Sequence, residues 1–213
     1  MRMRTITLMV GALVTLAAVG ATVALAATIT GTDNDDQLFG TPQADQIQAL
    51  AGNDTVFGNQ GRDYVDAGAG DDTVDAGSGA DTVLGQDGND VILGREGRDL
   101  LRGRNGDDIV RGGRGRDLVF AGVGVDTTFG GPGDDVMFAL AHADAALPGG
   151  DTVFGGRGHD VIHVNDGESD TVDCGRDRDI AIVDLGDLDH VRNCEVVIQR
   201  APNPHDDQQE IGA

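Results

Sequence analysis

Twelve aspartates stand nine residues apart without a gap: Asp36, Asp45, Asp54, Asp63, Asp72, Asp81, Asp90, Asp99, Asp108, Asp117, Asp126 and Asp135. If the chain coils so that like positions stack, carboxylates come within about 4.8 Å of each other, one strand spacing. Two such charges repel by roughly 1 kcal/mol in water and by about 3 to 4 kcal/mol at an effective dielectric of 20. A column of them should not fold alone. A hard cation reverses the sign, because Ca2+ takes about six to eight oxygen ligands and glycine-rich turns expose carbonyls beside the carboxylates. Pairing aspartates eighteen residues apart, from Asp36 with Asp54 to Asp117 with Asp135, gives ten candidate calcium sites.

The element that must carry these side chains is a nonapeptide. From Gly31 to Phe138 the chain divides into twelve contiguous units, beginning "GTDNDDQLF" and ending "GGPGDDVMF", with aspartate sixth. Position eight is apolar from Leu38 to Met137 except at Thr128, and position four is glycine in ten of the twelve, Asn34 and Gln43 being the exceptions. Glycine there implies a left-handed backbone, which Asn34 tolerates better than Gln43. So much glycine rules out a helical stripe. Three strand residues per unit alternate faces, so position eight points inward and positions seven and nine outward, one buried side chain per rung. Position five doubles the period: it reads Asp35, Asn53, Asp71, Asn89, Asp107 in odd units and Ala44, Arg62, Ala80, Arg98, Arg116 in even ones. Two nonapeptides per coil, with turns stacked on two opposite edges, would produce that pattern; duplication of a longer unit would leave the same trace.

After Phe138 the register slips over residues 139–145, and two more units follow at 146–163, "ALPGGDTVF" and "GGRGHDVIH", adding Asp151 and Asp160 to the column. The expected organisation is a repeat region over 27–173, a cap over 174–198 tied by Cys174 and Cys194, and a polar, disordered tail over 199–213. A disulfide closing about 20 residues contributes on the order of 3 kcal/mol. A two-thiolate metal site has no histidine at zinc-finger spacing to complete it.

"GGPGDDVMF" and "GGRGHDVIH" fit the pattern G-G-x-G-x-D-x-U-x, with U a large aliphatic residue, at every defined position. Over about 135 residues the chain resembles the RTX, or hemolysin-type, calcium-binding repeats. The resemblance implies an all-β fold, a right-handed parallel β-roll with two repeats per coil, in which six residues form a calcium-binding turn and three a strand. It also implies that the fourteen aspartates named above are calcium ligands, completed by turn carbonyls. Position one departs from the pattern at Ala49, Ala67, Ala76 and Ala121, and position two at Thr32, Asn59 and Arg95, among others. The toxin, protease and lipase activities found in that family do not carry over, because almost no residues remain for a catalytic domain.

The bulk composition agrees with a cation binder. The chain has 213 residues, 37 acids, 15 basic residues and a formal charge of −22, which disfavours nucleic acid as a partner. Residues 1–26 carry Arg2 and Arg4, an apolar run and a small-residue cleavage site, the pattern of a secretory signal. The protein is therefore expected to be extracellular; an uncleaved membrane anchor is the alternative. Cleavage would remove two arginines and no acid, taking −22 to −24, which ten divalent ions would bring to about −4. No G-x-S-x-G or H-E-x-x-H motif occurs, no EF-hand loop is complete, and His142, His159, His163, His190 and His205 are scattered, so no enzyme is expected. Arg102, Arg104 and Arg111 either offset aspartate repulsion or form a patch for an anionic glycan or surface polymer. Outward Phe39, Phe57, Phe120, Phe129 and Phe138 fit an association face or a simple cover for a sheet. The sequence leaves the oligomeric state open.

Overall fold

A computed structural model describes residues 26–139, 150–185 and 189–201. The signal segment, most of the 139–145 slip and the end of the tail lie outside them. The described residues form strands and turns only, in two parallel sheets. Successive strands alternate between the sheets: Thr28–Thr30 opens the first, Gln37–Phe39 the second, and so on to His190–Arg192 in the second and Val196–Arg200 in the first. Each strand pairs with those one coil before and after, as Leu101 does with Val83 and Val119, eighteen residues away on either side. The expected all-β parallel solenoid with two nonapeptides per coil is therefore the fold.

Three side chains per nonapeptide point inward, rather than the one expected. Position eight supplies the apolar column, with Ile47, Val56, Val65, Val74, Val83, Ile92 and Leu101 at zero exposure. Each such burial contributes about 1.5 to 3 kcal/mol. The sixth residue and the first of the following unit also face in, because the chain keeps its pleat through the corner; Asp99 is 2% and Ala121 0% exposed. The alanines at position one are thus core residues. Thr128, the one break in the apolar column, is equally buried at 1%.

Two residues per turn are left-handed, at positions two and four. Gly79 shows why position four is glycine: a Cβ there would lie 1.3 Å from the Gly61 carbonyl oxygen of the coil before. Leu50, Asn59, Gln86, Arg95 and Arg104 take positive φ at position two. Asn34 and Gln43 are not among the residues with positive φ, contrary to the expectation for position four, and the first two turns close differently.

The register slip does not disturb the ladder. Thr127 pairs with Thr152 and Val136 with Val161, twenty-five residues apart instead of eighteen, and the coils resume in phase. The 174–198 stretch is not a separate cap: Thr171–Arg176, Ile180–Asp184, His190–Arg192 and Val196–Arg200 continue both sheets, and strand structure runs past 199. The Cys174–Cys194 disulfide is formed and ties the turns of adjacent coils. That end stays open, with Val197 47% exposed, whereas Ile29 at the opposite end is 1% exposed.

Candidate metal centre

The aspartates form two inward-facing columns, one at each edge. Asp36, Asp54, Asp72, Asp90, Asp108, Asp126 and Asp151 follow the first sheet; Asp45, Asp63, Asp81, Asp99, Asp117, Asp135 and Asp160 follow the second. Within a column each Oδ1 accepts the backbone N–H of the aspartate one coil earlier: Asp36 to Asp54 at 2.7 Å, Asp81 to Asp99 at 2.9 Å, Asp135 to Asp160 at 2.9 Å. The backbone of the same residue enters the sheet ladder, as when Asp81 O accepts from Leu100 N at 2.8 Å. Position and rotamer are thereby fixed by the stack itself.

The second oxygen divides the turns into two kinds. In the first, Asp36 Oδ2 accepts from Thr32 N at 2.6 Å and Thr32 Oγ1 at 2.8 Å, and Asp45 Oδ2 accepts from Thr41 N at 2.5 Å and Thr41 Oγ1 at 3.0 Å. In the second kind, Oδ2 of Asp54, Asp63, Asp72, Asp81, Asp90, Asp99, Asp108, Asp117, Asp135, Asp151 and Asp160 is buried without a hydrogen-bond donor. Such an anionic atom is costly unless something positive reaches it. A carbonyl of the next coil sits beside it: a methyl group on Gly94 would be 2.6 Å from Asp99 Oδ2 and 2.6 Å from Gly112 O. The glycine keeps a small oxygen-lined space clear. Among the described residues no three His, Cys, Asp or Glu side chains gather, so any ion must take carbonyls as well as a carboxylate. All-oxygen donors of this kind fit a hard cation such as Ca2+.

Electrostatics points the same way. Burial pushes Asp63, Asp90, Asp99, Asp108 and Asp135 up to about 7, and Asp72 and Asp160 up to about 6. Asp151 reaches about 8. Desolvation is the main cause, stacked like charges add to it, and the accepted backbone N–H partly offsets both. Asp54, Asp81 and Asp117 are raised as well, first by burial.

Sequence reasoning missed two members of the columns. Asp170 accepts from Asp151 N at 2.7 Å and Asp179 from Asp160 N at 2.9 Å, each with a buried Oδ2 lacking a donor. They stand nineteen residues on instead of eighteen; the signal for Asp170 is D-x-U-x in "DTVD", whereas "DIAI" puts the small Ala181 at the apolar position of Asp179 and breaks the pattern. A second ladder was also missed. Asp35, Asn53, Asp71, Asn89 and Asp107, all exposed, pass a side-chain oxygen to the N–H of the next coil, as Asp71 does to Asn89 at 2.8 Å and Asn89 to Asp107 at 2.8 Å.

Of the two readings offered for Arg102, Arg104 and Arg111, the shared patch does not assemble. Arg102 is 8% exposed and lies over Phe120 on the first sheet, Arg104 stands near the end of the same strand, Leu100–Asn105, with a left-handed backbone, and Arg111 lies over Phe129 on the second sheet. The phenylalanines stack along the sheets, Phe39 on Phe57 at 5.1 Å, Phe120 on Phe138 at 5.0 Å and Phe129 on Phe154 at 4.8 Å.

Stacked turns with an inward aspartate and glycine-framed carbonyls define a calcium-binding β-roll. The RTX calcium-binding nonapeptide repeat, in its four-copy form, matches residues 30–65, 48–83, 66–101, 84–119, 102–137 and 146–181, and the chain belongs to that family. No curated protein matches. Among solved structures the chain is similar to a hyperactive, Ca2+-dependent, β-helical antifreeze protein from an Antarctic bacterium, at 19% identity over 90% of this chain and 72% of that one, with a TM-score of 0.38. A likeness that loose carries no argument about function.

Proposed function

We propose that the protein is an extracellular, non-enzymatic scaffold whose coils are joined by Ca2+ ions held at the two edges. The carrying observation is the set of thirteen buried Oδ2 atoms without a donor, from Asp54 to Asp179 with Asp126 left out of the count. Bound calcium supplies the positive charge that these oxygens otherwise lack. The chain's own part is to fix each carboxylate through its Oδ1 bond, to present a carbonyl from the coil beside it, and to keep both away from bulk water. Asp36 and Asp45, already satisfied by Thr32 and Thr41, lie outside the calcium-dependent set on this reading.

The roll folds as calcium rises, with affinity in the range of extracellular modules, about 10⁻⁴ to 10⁻³ M. Circular dichroism across a calcium titration tests this directly, together with a count of bound ions by equilibrium dialysis. Strand signal unchanged by chelation, or uptake of only one or two ions, would defeat the reading. Extracellular destination rests on residues 1–26 and is tested separately, by N-terminal sequencing of the exported protein.

A further inference from the structure

The two edges of the solenoid carry opposite charge. Among the described residues, turns leading from the second sheet to the first hold eight arginines and three acids at positions two to five, and turns leading from the first to the second hold seven acids and one arginine. Reading along the chain hides this division, because consecutive turns alternate between edges. On the basic edge Arg62, Arg98 and Arg116 occupy position five, exposed and without an ion pair among the described residues. On the acidic edge the same position holds Asp35, Asp71 and Asp107, also exposed. Their placement is rigid, since each of these carboxylates accepts a backbone N–H of the next coil at 2.8 to 2.9 Å.

The spacings match. Asp35, Asp71 and Asp107 stand thirty-six residues apart, two coils, and so do Arg62 and Arg98. Two coils correspond to about 9.6 Å along the stack. We infer that the basic edge docks against the acidic edge of a second copy, with the two solenoids side by side. Because the edges lie on opposite sides of the coil, each docked copy still offers a free edge of each sign, and the contact propagates as an open row. Arginine suits such a contact, its planar fork engaging carboxylates in pairs of hydrogen bonds. The inference depends on the edges alone, not on how many calcium ions the columns hold.

The test uses the full chain in calcium, followed by sedimentation velocity in about 10 mM and about 1 M NaCl, where the screening length falls from about 30 Å to about 3 Å. Low salt should give a concentration-dependent series of species that collapses to monomer in high salt. Two triple variants then separate the edges: Arg62→Gln with Arg98→Gln and Arg116→Gln, and Asp35→Asn with Asp71→Asn and Asp107→Asn. Asparagine keeps the turn ladder, as Asn53 and Asn89 already show. Each variant alone should associate at least tenfold more weakly than the wild type. Mixed, each supplies the edge the other lacks, so one-to-one pairs should form and nothing larger. A wild type that stays monomeric in low salt overturns the proposal, whether or not it is retained on sulfated dextran; retention would give the basic edge an anionic polymer instead. Variants that associate like the wild type, insensitive to salt, also overturn it and point to the open apolar end at Val197.

Discussion

The first two turns and the turns that follow solve one problem in different ways. All must bring a buried carboxylate to the corner of a coil, and from Asp45 on one oxygen is fixed by the backbone N–H of the coil before; Ala27 N donates to Asp45 at 2.7 Å where that column begins. At Asp36 and Asp45 a threonine four residues earlier turns its N–H and its hydroxyl onto the other oxygen. From Asp54 to Asp117 a glycine or a left-handed residue takes the threonine's place, and Oδ2 has no donor. On the proposed reading the early turns are closed by the protein and the later ones by a cation. The difference lies in two donors from one threonine and the backbone turn that aims them.

The largest effect expected from that contrast is metal removal. A site held at 100 times its Kd contributes about 2.7 kcal/mol, and a column of such sites exceeds the 5 to 15 kcal/mol of an ordinary domain. Chelation should therefore abolish the strand signal in far-ultraviolet circular dichroism, and hydrogen exchange should show the later coils opening at lower chelator concentration than the first.

Protons should substitute for calcium, incompletely. Carboxyls raised to about 7 at Asp63, Asp90, Asp99, Asp108 and Asp135, and to about 8 at Asp151, favour the neutral form in the folded state. Stability from these groups is complete below the unfolded carboxylate value near 3.9 and is lost as pH rises through about 7 to 8. Metal-free protein should accordingly gain strand signal on acidification from pH 8 towards 4, and the calcium requirement should steepen over the same interval. Circular dichroism in chelator as a function of pH measures it; a metal-free form that loses structure on acidification would contradict the burial argument.

Single substitutions sharpen the contrast. Asp99→Asn leaves an oxygen to accept from Asp81 N but removes the charge from Oδ2, so the protein should bind about one ion fewer and need more calcium to fold. Asp36→Asn should leave the ion count unchanged. Its cost, about 1 kcal/mol, comes from replacing an ionised acceptor of the Thr32 N–H and hydroxyl by a neutral amide oxygen. Equilibrium dialysis separates the two outcomes even where the stability losses are similar.

Much of this was legible in the sequence, because a solenoid converts linear period into spatial stacking. The aspartate register, the apolar column and the eighteen-residue coil follow from spacing alone. What escaped did so for specific reasons. Asp170 and Asp179 fall after a one-residue lengthening of the coil, which a strict period cannot track. Arg102, Arg104 and Arg111 cluster along the chain yet are divided between two sheets, because successive strands alternate between them. The threonines of the first two turns read as departures from a glycine pattern, whereas their hydroxyls supply a donor that the later carboxylates lack.

The smallest change offers the most direct control over that distinction. In Thr41→Gly the hydroxyl that donates to Asp45 disappears, and with it the Oγ1 that accepts from Gln43 N at 3.2 Å and helps hold the turn. Losing one such donor should cost the metal-free form about 1 kcal/mol. Glycine also lets residue 41 take the left-handed backbone of the later turns, where the position-two N–H does not reach the aspartate. If a donorless oxygen at this corner is what recruits the ion, the variant should then gain a site, because Gly58 O of the next coil already lies beside Asp45 Oδ2 around Gly40. The expected result is about one more calcium ion per chain at saturation, and a calcium-loaded form at least as stable as the wild type. An unchanged ion count with the same small loss of stability would show that the first turns lack calcium for a reason other than the threonine.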